Sequence, residues 1–358
     1  MDDRFSFLRQ EAPSSARPVN CSFHHRVKGS EGEVALQYWP PARGSRRPPE
    51  HIIVFILGNP GLLNYYHPFL SHLHYLLPPS HAILSTSHIG HSPHIPAPIL
   101  PLSLHEQLEA KVELLSSLRR YTAGWAEEGY RPTPRSRFER VDRPRISLMG
   151  HSVGSWFLLE MMKRLGDEVE AGYMLFPTLG WIADSWNGRK LWPIFHRPLR
   201  PLLPYITYLV RPILPLLTHL PATTLSLLRS PTTVEHVLHL SRSEMDHILS
   251  PDLASIRALS STKMGEGRGL FGIWAGGNLD GWVGREGEMV QSVMGGEGVD
   301  GGAGGRVVVV DGIPHAFCLS RTHSHYIAEL VAAWIDPSLA NAGGSESDAS
   351  DIISVLPM

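Results

Sequence analysis

Short apolar runs recur along the first half of the chain, and stretches with helical spacing lie between them. These runs cover residues 51–57, 82–86, 146–149 and 172–176. A continuous β-branched and apolar run of this length is typical of a strand that is buried on both faces. The clearest helical spacing is that of Leu104, Leu108, Val112, Leu115 and Leu118. Such alternation predicts an α/β fold, with a mostly parallel central sheet flanked by helices.

The same patterns divide the chain into segments. We expect a loose N-terminal arm, a first part of the core, an apolar helical insertion, a second part of the core and a disordered tail, at residues 1–20, 21–176, 177–265, 266–338 and 339–358. The insertion is assigned because its apolar residues are repeatedly cut by prolines and include no convincing buried strand. Within the core, residues 127–145 are charged and predict a surface insertion. Residues 295–305 are rich in glycine and predict a flexible loop.

Composition excludes some classes of function. Charged residues make up only 18% of the 358 residues, so apolar surface must be buried or face lipid. The net charge of −2 predicts no nucleic-acid partner. Cys21 and Cys318 are too few for a disulfide framework and favour a reducing, cytosol-facing compartment. The acidic start, Met1-Asp2-Asp3-Arg4, is not followed by the apolar run of a secretory signal.

The pentapeptide Gly150-His151-Ser152-Val153-Gly154 has the form G-x-S-x-G. In this motif the serine lies on a tight turn between a strand and a helix, where larger residues at the glycine positions would collide with it. The pentapeptide alone is a weak signal, because chance matches are common. Here an apolar run precedes it and a helical stretch follows it. We therefore interpret Ser152 as a nucleophile rather than as a serine in an ordinary turn.

Asp280 and His315 stand where a serine nucleophile needs its partners. Hydrolases with this motif place the acid and then the histidine after the serine, on loops that follow late strands. Asp280 follows the apolar run at 270–275, and His315 follows the run at 306–310. His315 would take the serine proton and later return it, while Asp280 would fix the imidazole tautomer. Asp311 is the alternative acid, although its place at the end of the strand makes a reach back to the ring awkward.

Two backbone N–H groups are expected to bind the oxyanion that forms during acyl transfer. One belongs to Val153, the residue after the nucleophile, and the other to the loop after the first buried run. That loop reads Gly58-Asn59-Pro60-Gly61. Pro60 has no N–H, so Asn59 is the first choice and Leu62 the second. The alternative is a plain turn, since these residue types form turns whatever the function.

Taken in order, these motifs resemble the lipid droplet-associated hydrolase family of α/β-hydrolases. The similar residues are Gly58-Asn59-Pro60-Gly61 with Tyr65, Tyr66 and Phe69, then His88-Ile89-Gly90-His91, Gln107-Leu108-Glu109 with Lys111, Gly150-His151-Ser152-Val153-Gly154-Ser155, Asp280-Gly281-Trp282 and Ile313-Pro314-His315-Ala316-Phe317. The resemblance implies an α/β-hydrolase fold and a Ser152–Asp280–His315 triad. It also implies a serine hydrolase of neutral-lipid or sterol esters at lipid droplets and the cytosolic face of the endoplasmic reticulum.

Residues 191–228 lie where such hydrolases carry an apolar helical cap over the site. Their longest stretch without a formal charge, residues 212–228, is broken by Pro215 and Pro221, so a conventional transmembrane helix is not expected. Arginines among the leucines and aromatic residues suit a segment that lies at a lipid surface. The alternative is a cap that packs on the core without touching lipid.

Three functions fit these features. The first is a carboxylic-ester hydrolase, with a lipid ester as substrate and a droplet or membrane surface as partner. The second is an acyltransferase or thioesterase on the same triad, and the third a droplet-surface protein with little turnover. No cofactor is expected. No metal site is expected either, because histidines such as His72 and His74 lack a convincing ligand set.

Overall fold

An eight-stranded, mostly parallel sheet forms the centre of the protein. The computed structural model describes residues 2–9, 18–42, 48–129, 143–212, 214, 220–261, 269–277, 279–295 and 306–339. The strands are β1 (Val19–His25), β2 (Gly32–Trp39), β3 (His51–Ile56), β4 (His81–Thr86), β5 (Arg145–His151), β6 (Ala171–Leu175), β7 (Gly269–Ala275) and β8 (Val307–Val310). They lie in the order β1-β2-β4-β3-β5-β6-β7-β8. The β1–β2 and β2–β4 pairs are antiparallel and the others parallel, which confirms the predicted sheet.

Helices cover both faces of this sheet. They are α1 (His67–Leu76), α2 (Leu104–Gly129), α3 (Val153–Leu165), α4 (Trp186–Phe195), α5 (Leu203–Val210), α6 (Ala222–Leu228), α7 (Pro231–His247), α8 (Leu253–Ser260), α9 (Glu286–Gly295) and α10 (Arg321–Ile335). Side chains of β3 alternate between two cores, since successive residues of a strand point to opposite faces. Ile52 and Val54 pack with residues of α2 and α3, whereas Ile53 and Phe55 pack with residues of α1 and α10. Burial on both faces explains the unbroken apolar run.

The order of the strands reverses beside β3. The chain adds β4 on one side of β3 and β5 on the other. In open parallel sheets a reversal of this kind leaves a crevice at the carboxyl ends of the strands. The loop at residues 58–61 follows β3 and Ser152 follows β5, while Asp280 and His315 follow β7 and β8. The topology therefore places every predicted site segment at one edge of the sheet.

The first residues of the chain do not form the loose arm that the sequence predicts. Asp3–Arg9 is a 3-10 helix, and its apolar side chains Phe5, Phe7 and Leu8 are buried. The Phe5 ring lies 5.1 Å from that of Phe23 and 5.6 Å from that of Tyr121, measured between centroids. The prediction was wrong here because the segment is mostly polar, and its few apolar residues are buried by contacts with distant elements, among them β1, β2 and α2. Residues 10–17 lie outside the described part of the chain.

Between β6 and β7, the described residues form helices α4 to α8 and contribute no strand to the sheet.

The loops predicted elsewhere in the core begin or end at other residues than the sequence analysis gave. Helix α2 continues to Gly129 and β5 begins at Arg145, so only residues 130–142 of the expected surface insertion lie outside the described residues. Helix α9 was not predicted. The glycine-rich loop beyond its last residue, Gly295, and the tail from residue 340 also fall outside the description. Over the part of the chain described, no helix is both long and apolar enough to cross a membrane.

Candidate active site

Ser152 lies on the turn between β5 and α3, in a backbone conformation that residues other than glycine rarely adopt. Its φ is 55° and its ψ is −123°. Two glycines leave room for this turn. A Cβ atom on Gly150 would lie 2.3 Å from the carbonyl oxygen of Gly154, and a Cβ atom on Gly154 would lie 2.2 Å from that of Ile56. The Ser152 N–H donates to the carbonyl of Leu175, at 3.0 Å. The surroundings therefore over-determine a strained residue, as is common where function depends on the geometry.

His315 and Asp280 form a hydrogen-bonded pair at the same edge. Nδ1 of His315 lies 2.7 Å from Oδ2 of Asp280, and the two side chains are only 13% and 7% exposed. The other carboxylate oxygen accepts backbone N–H groups from Trp282 and Val283, at 2.9 and 3.1 Å. Burial on its own would raise the pKa of Asp280, but His315 and these N–H groups together hold it below its usual value. An ionised carboxylate only accepts hydrogen bonds, so Nδ1 of His315 carries hydrogen and Nε2 is the atom left to take a proton.

The structure holds His315 next to the serine turn. Nε2 of His151 lies 3.0 Å from the backbone carbonyl oxygen of His315, and their ring centroids are 5.0 Å apart. The ring of Phe176, which follows β6, lies 6.3 Å from that of His315. The alternative acid, Asp311, is exposed and lies against Gly276. In this geometry Asp280, and not Asp311, contacts the His315 ring.

The loop after β3 packs directly on the serine turn. A Cβ atom on Gly58 would lie 2.9 Å from Cβ of Ser152 and 2.8 Å from Nδ1 of His151. These approaches are shorter than real Cβ contacts, so only glycine fits at this position without displacing its neighbours. The absence of a side chain at Gly58 therefore sets the distance between the loop and Ser152.

Backbone N–H groups around Ser152 fall into two sets. Gly58 donates to the Tyr66 hydroxyl at 3.3 Å, and Gly61 donates to the Gly58 carbonyl at 2.7 Å. Within the described residues, no protein acceptor is found for the N–H groups of Asn59, Leu62 and Val153, which lie near the serine. These three include both predicted oxyanion donors, Asn59 and Val153, together with the second choice, Leu62.

The side chain of Asn59 joins this loop to α7. Its Nδ2 lies 2.9 Å from a carboxylate oxygen of Glu244, 2.8 Å from Oγ of Ser241 and 3.2 Å from the carbonyl oxygen of Val237. Burial raises the pKa of Glu244 to about 8, and the hydrogen bond from Asn59 opposes that shift. Sequence reasoning missed Glu244, because no local pattern relates a helix of the insertion to a loop so far before it in the chain.

Two buried histidines bind the backbone of the same loop. Nε2 of His88 lies 3.0 Å from the carbonyl oxygen of Leu57, and Nδ1 of His91 lies 2.9 Å from that of Pro60. Nε2 of His88 and Nδ1 of His91 must each carry the hydrogen and donate it, since a carbonyl only accepts. Burial keeps the rings neutral by lowering the pKa of His91 to about 3 and that of His88 well below its usual value. Among the residues described, no group of His, Cys, Asp or Glu side chains is arranged to hold a metal ion.

Comparison with known sequences points to one family. Residues 49–318 match the family described as lipid-droplet associated hydrolase. A lipid droplet-associated hydrolase of Drosophila melanogaster is 30% identical over 164 residues, which are 45% of this chain and 48% of the fly protein. The Homo sapiens protein of that name is 30% identical over 41% of this chain and 43% of its own length. The chain thus spans about half the length of these curated relatives. The Rattus norvegicus protein is 26% identical over 81% of this chain and 86% of its own.

Solved structures with the same fold are much more distant in sequence. A haloalkane dehalogenase from Agrobacterium tumefaciens superposes with a TM-score of 0.60 at 13% identity, covering 91% of this chain and 100% of the other. A membrane phospholipase A superposes with a TM-score of 0.57 at 13% identity, covering 94% of this chain and 90% of the other. At such low identity the likeness establishes only the fold, which is the predicted α/β-hydrolase fold.

Proposed function

The chain belongs to the lipid-droplet associated hydrolase family, and on that premise we propose that it is a serine hydrolase that cleaves carboxylic esters of lipids. The observation that carries this proposal is the buried His315–Asp280 pair held beside the strained turn of Ser152. An ordinary turn does not require a serine with a strained backbone, so the strain favours a functional role. A buried imidazole paired with a carboxylate is suited to proton transfer. The combination assigns Ser152 as nucleophile, His315 as base and Asp280 as the residue that orients the base.

The reaction then proceeds in two stages. Ser152 Oγ attacks the carbonyl carbon of the ester while its proton passes to Nε2 of His315. The C–O bond to the alcohol breaks, and the alcohol leaves with that proton. Water, deprotonated by the same nitrogen, attacks the carbonyl carbon of the acyl-enzyme. The bond from that carbon to Ser152 Oγ then breaks, His315 returns the proton to Oγ, and the carboxylic acid is released. Asp280 keeps hydrogen on Nδ1 throughout and stabilises the imidazolium that forms in each stage.

The oxyanion of each tetrahedral intermediate is assigned to the N–H groups of Val153 and Asn59. Val153 begins α3, so its N–H is among those that an α-helix leaves without an internal partner. In the loop after β3, the Gly58 N–H already has a partner and Pro60 has none to offer. Donors of this kind contribute most when they are already in place before the charge develops.

Labelling with a fluorophosphonate tests the nucleophile. The wild-type protein should be labelled, whereas Ser152→Ala should not. Ser117→Ala is the matched control, since it removes another buried serine hydroxyl, on α2, and should be labelled like the wild type. Equal labelling of Ser152→Ala and wild type would contradict the assignment. Screening the wild type against lipid esters and water-soluble short-chain esters then identifies the substrate class.

We further propose that α4 to α8 form a cap that places the site at a lipid surface. Leu202, Tyr205, Ile206 and Leu209 are 47–74% exposed and recur at the spacing of one helical face, which we call the apolar face. Arg200 and Arg211 flank it, as expected for side chains that reach phospholipid headgroups. Burying each apolar side chain contributes roughly 1.5–3 kcal/mol when desolvation is complete. A few such residues suffice for peripheral binding to a droplet.

Flotation with triolein droplets coated by phosphatidylcholine tests the cap proposal. Combined Leu202→Ser, Tyr205→Ser and Leu209→Ser substitutions should release the protein from the droplets, while a water-soluble ester is still hydrolysed. Ile99→Ser with Leu100→Ser is the control, because these side chains are 98% and 77% exposed on the loop between β4 and α2. If the apolar-face variant floats as well as the control, the droplet contact lies elsewhere.

A further inference from the structure

A network of hydrogen bonds connects three of the segments that build the site. The Gly58 N–H donates to Oη of Tyr66 at 3.3 Å, and Oη lies 2.7 Å from Nδ1 of His151. On the far side of the ring, Nε2 of His151 lies 3.0 Å from the carbonyl oxygen of His315. The loop after β3, the serine turn and the loop that carries the base are therefore joined through two side chains.

The direction of each bond follows from its two ends. A backbone N–H only donates and a backbone carbonyl only accepts. Nε2 of His151 must therefore carry hydrogen, which leaves Nδ1 of a neutral ring as an acceptor for the Tyr66 hydroxyl. The hydroxyl oxygen in turn accepts the Gly58 N–H. A single arrangement of hydrogens satisfies every group in this hydrogen-bond network. The network therefore fixes one tautomer of His151.

Burial protects this arrangement. The side chains of Tyr66 and His151 are both buried, and their rings meet edge to face with centroids 5.5 Å apart. Burial, assisted by the charge of the neighbouring His315, lowers the pKa of His151 to about 3. Burial also raises the pKa of the Tyr66 hydroxyl well above its usual value. Both side chains thus stay neutral over the range in which a histidine base works, and neither competes with His315 for the proton.

We propose that Tyr66 and His151 are positioning residues, which fix the oxyanion loop and the base loop relative to each other across the serine turn. The proposal rests on the proposed serine-hydrolase function and adds two residues to it. Tyr66 occupies the Gly58 N–H, so the next N–H of the loop, that of Asn59, is the one left for the oxyanion. His151 holds the backbone of His315, and with it the position of the ring whose Nδ1 faces Asp280.

Removing the Tyr66 hydroxyl breaks the network at its centre. Tyr66→Phe should lower kcat for a short-chain ester by about 10- to 100-fold with KM nearly unchanged, since small misplacements in an active site cost that much. Rates are counted per site labelled by fluorophosphonate, so a smaller folded fraction does not lower them. Tyr65→Phe is the matched control. The Tyr65 hydroxyl lies 2.7 Å from Oγ1 of Thr224 on α6 and takes no part in the hydrogen bonds between Gly58, Tyr66, His151 and His315. Tyr65→Phe should keep the wild-type kcat.

Paired substitutions at His151 separate hydrogen bonding from packing. His151→Gln keeps an amide donor for the His315 carbonyl and an oxygen acceptor for Tyr66, so kcat should stay within about threefold of wild type. His151→Leu fills the space without hydrogen bonds and should lose as much as Tyr66→Phe. The double variant Tyr66→Phe/His151→Leu should lose no more than either single variant, because both interrupt one network. Full additivity, or equal activity of the Gln and Leu variants, overturns the proposal.

Nitrogen-15 NMR of histidine-labelled protein tests the network without any substrate. The His151 signal, assigned by its loss in His151→Gln, should show hydrogen on Nε2 and should not titrate between about pH 5 and 8. Hydrogen on Nδ1, or titration near neutral pH, overturns the proposal. If the wild type shows neither labelling nor ester hydrolysis, the proposed function is refuted instead. The NMR result would still decide whether the hydrogen bonds through Tyr66 and His151 are formed.

Discussion

Asp280 shows how a single carboxylate acquires a defined role from its surroundings. Its two oxygens are used differently, one for His315 and one for the backbone N–H groups of Trp282 and Val283. Partners that favour the ionised form outweigh the burial that opposes it, so its pKa stays low. The low pKa keeps the carboxylate an acceptor, and that in turn determines which nitrogen of His315 carries hydrogen.

Replacing Asp280 by asparagine should therefore reverse the tautomer. The amide of Asp280→Asn has nearly the same shape but can donate to Nδ1, which moves the ring hydrogen to Nε2. We expect kcat to fall by about 10⁴-fold, the loss known for the same change in serine proteases. Asp311→Asn should remain near wild type. Steady-state kinetics with a water-soluble ester compares the two, and a larger loss in Asp311→Asn would show that the acid is misassigned.

The N-terminal 3-10 helix shows how an element can depend on tertiary contacts. Asp3–Arg9 has few apolar residues, yet Phe5 is fully buried between β1 and α2. Arg4 joins the same region by donating to the carbonyl of His24 and to Glu113, both at 2.8 Å. The segment therefore covers the hairpin end of the sheet beside α2.

Phe5→Ala should lower the free energy of unfolding by about 3–5 kcal/mol, as expected when a buried phenylalanine leaves a cavity. Ser6→Ala, on the exposed side of the same helix, should change it by less than about 0.5 kcal/mol. Urea unfolding followed by circular dichroism measures both. Equal stability of Phe5→Ala and wild type would mean that the segment is not docked in solution.

At the scale of the whole molecule, Lys111 couples stability to pH. This fully buried lysine donates to the hydroxyl of Thr86, at 3.1 Å, and to the carbonyl of Ser87. Burial lowers its pKa from 10.5 to about 7. Between these two values the unfolded chain binds the proton more tightly than the folded one, so stability rises with pH across that window.

Lys111→Met should remove this rise. From about pH 7 to 9, the free energy of unfolding of the wild type should gain up to about 1.4 kcal/mol per pH unit relative to the variant. Lys28→Met, at an exposed turn of the β1–β2 hairpin, should follow the wild-type curve. Urea unfolding at several pH values gives the difference. Parallel curves for Lys111→Met and wild type would show that Lys111 is not the group responsible.

The sequence alone determined the features that depend on neighbours in the chain. Buried strands read as continuous apolar runs because both faces of the sheet are covered, and α2 reads as a periodic helix because only one side of it is buried. The serine turn was recognisable because its steric demand for glycines is met within five residues. Ser152, Asp280 and His315 each follow a predicted strand, and the carboxyl ends of parallel strands lie at one edge of a sheet. The sequence therefore also indicated that these three residues lie at one edge.

Only the tertiary structure decided which distant groups meet. That Asp280 and not Asp311 reaches His315, that Glu244 on α7 holds Asn59, and that Tyr66 bonds to His151 all depend on how separate elements pack. The same is true of the docked N-terminal helix. Local sterics and periodicity are written in short stretches of sequence, whereas the partner of a polar side chain is set by the face and register of an element far along the chain. That is why the buried strands and α2 could be predicted and the contacts between distant elements could not.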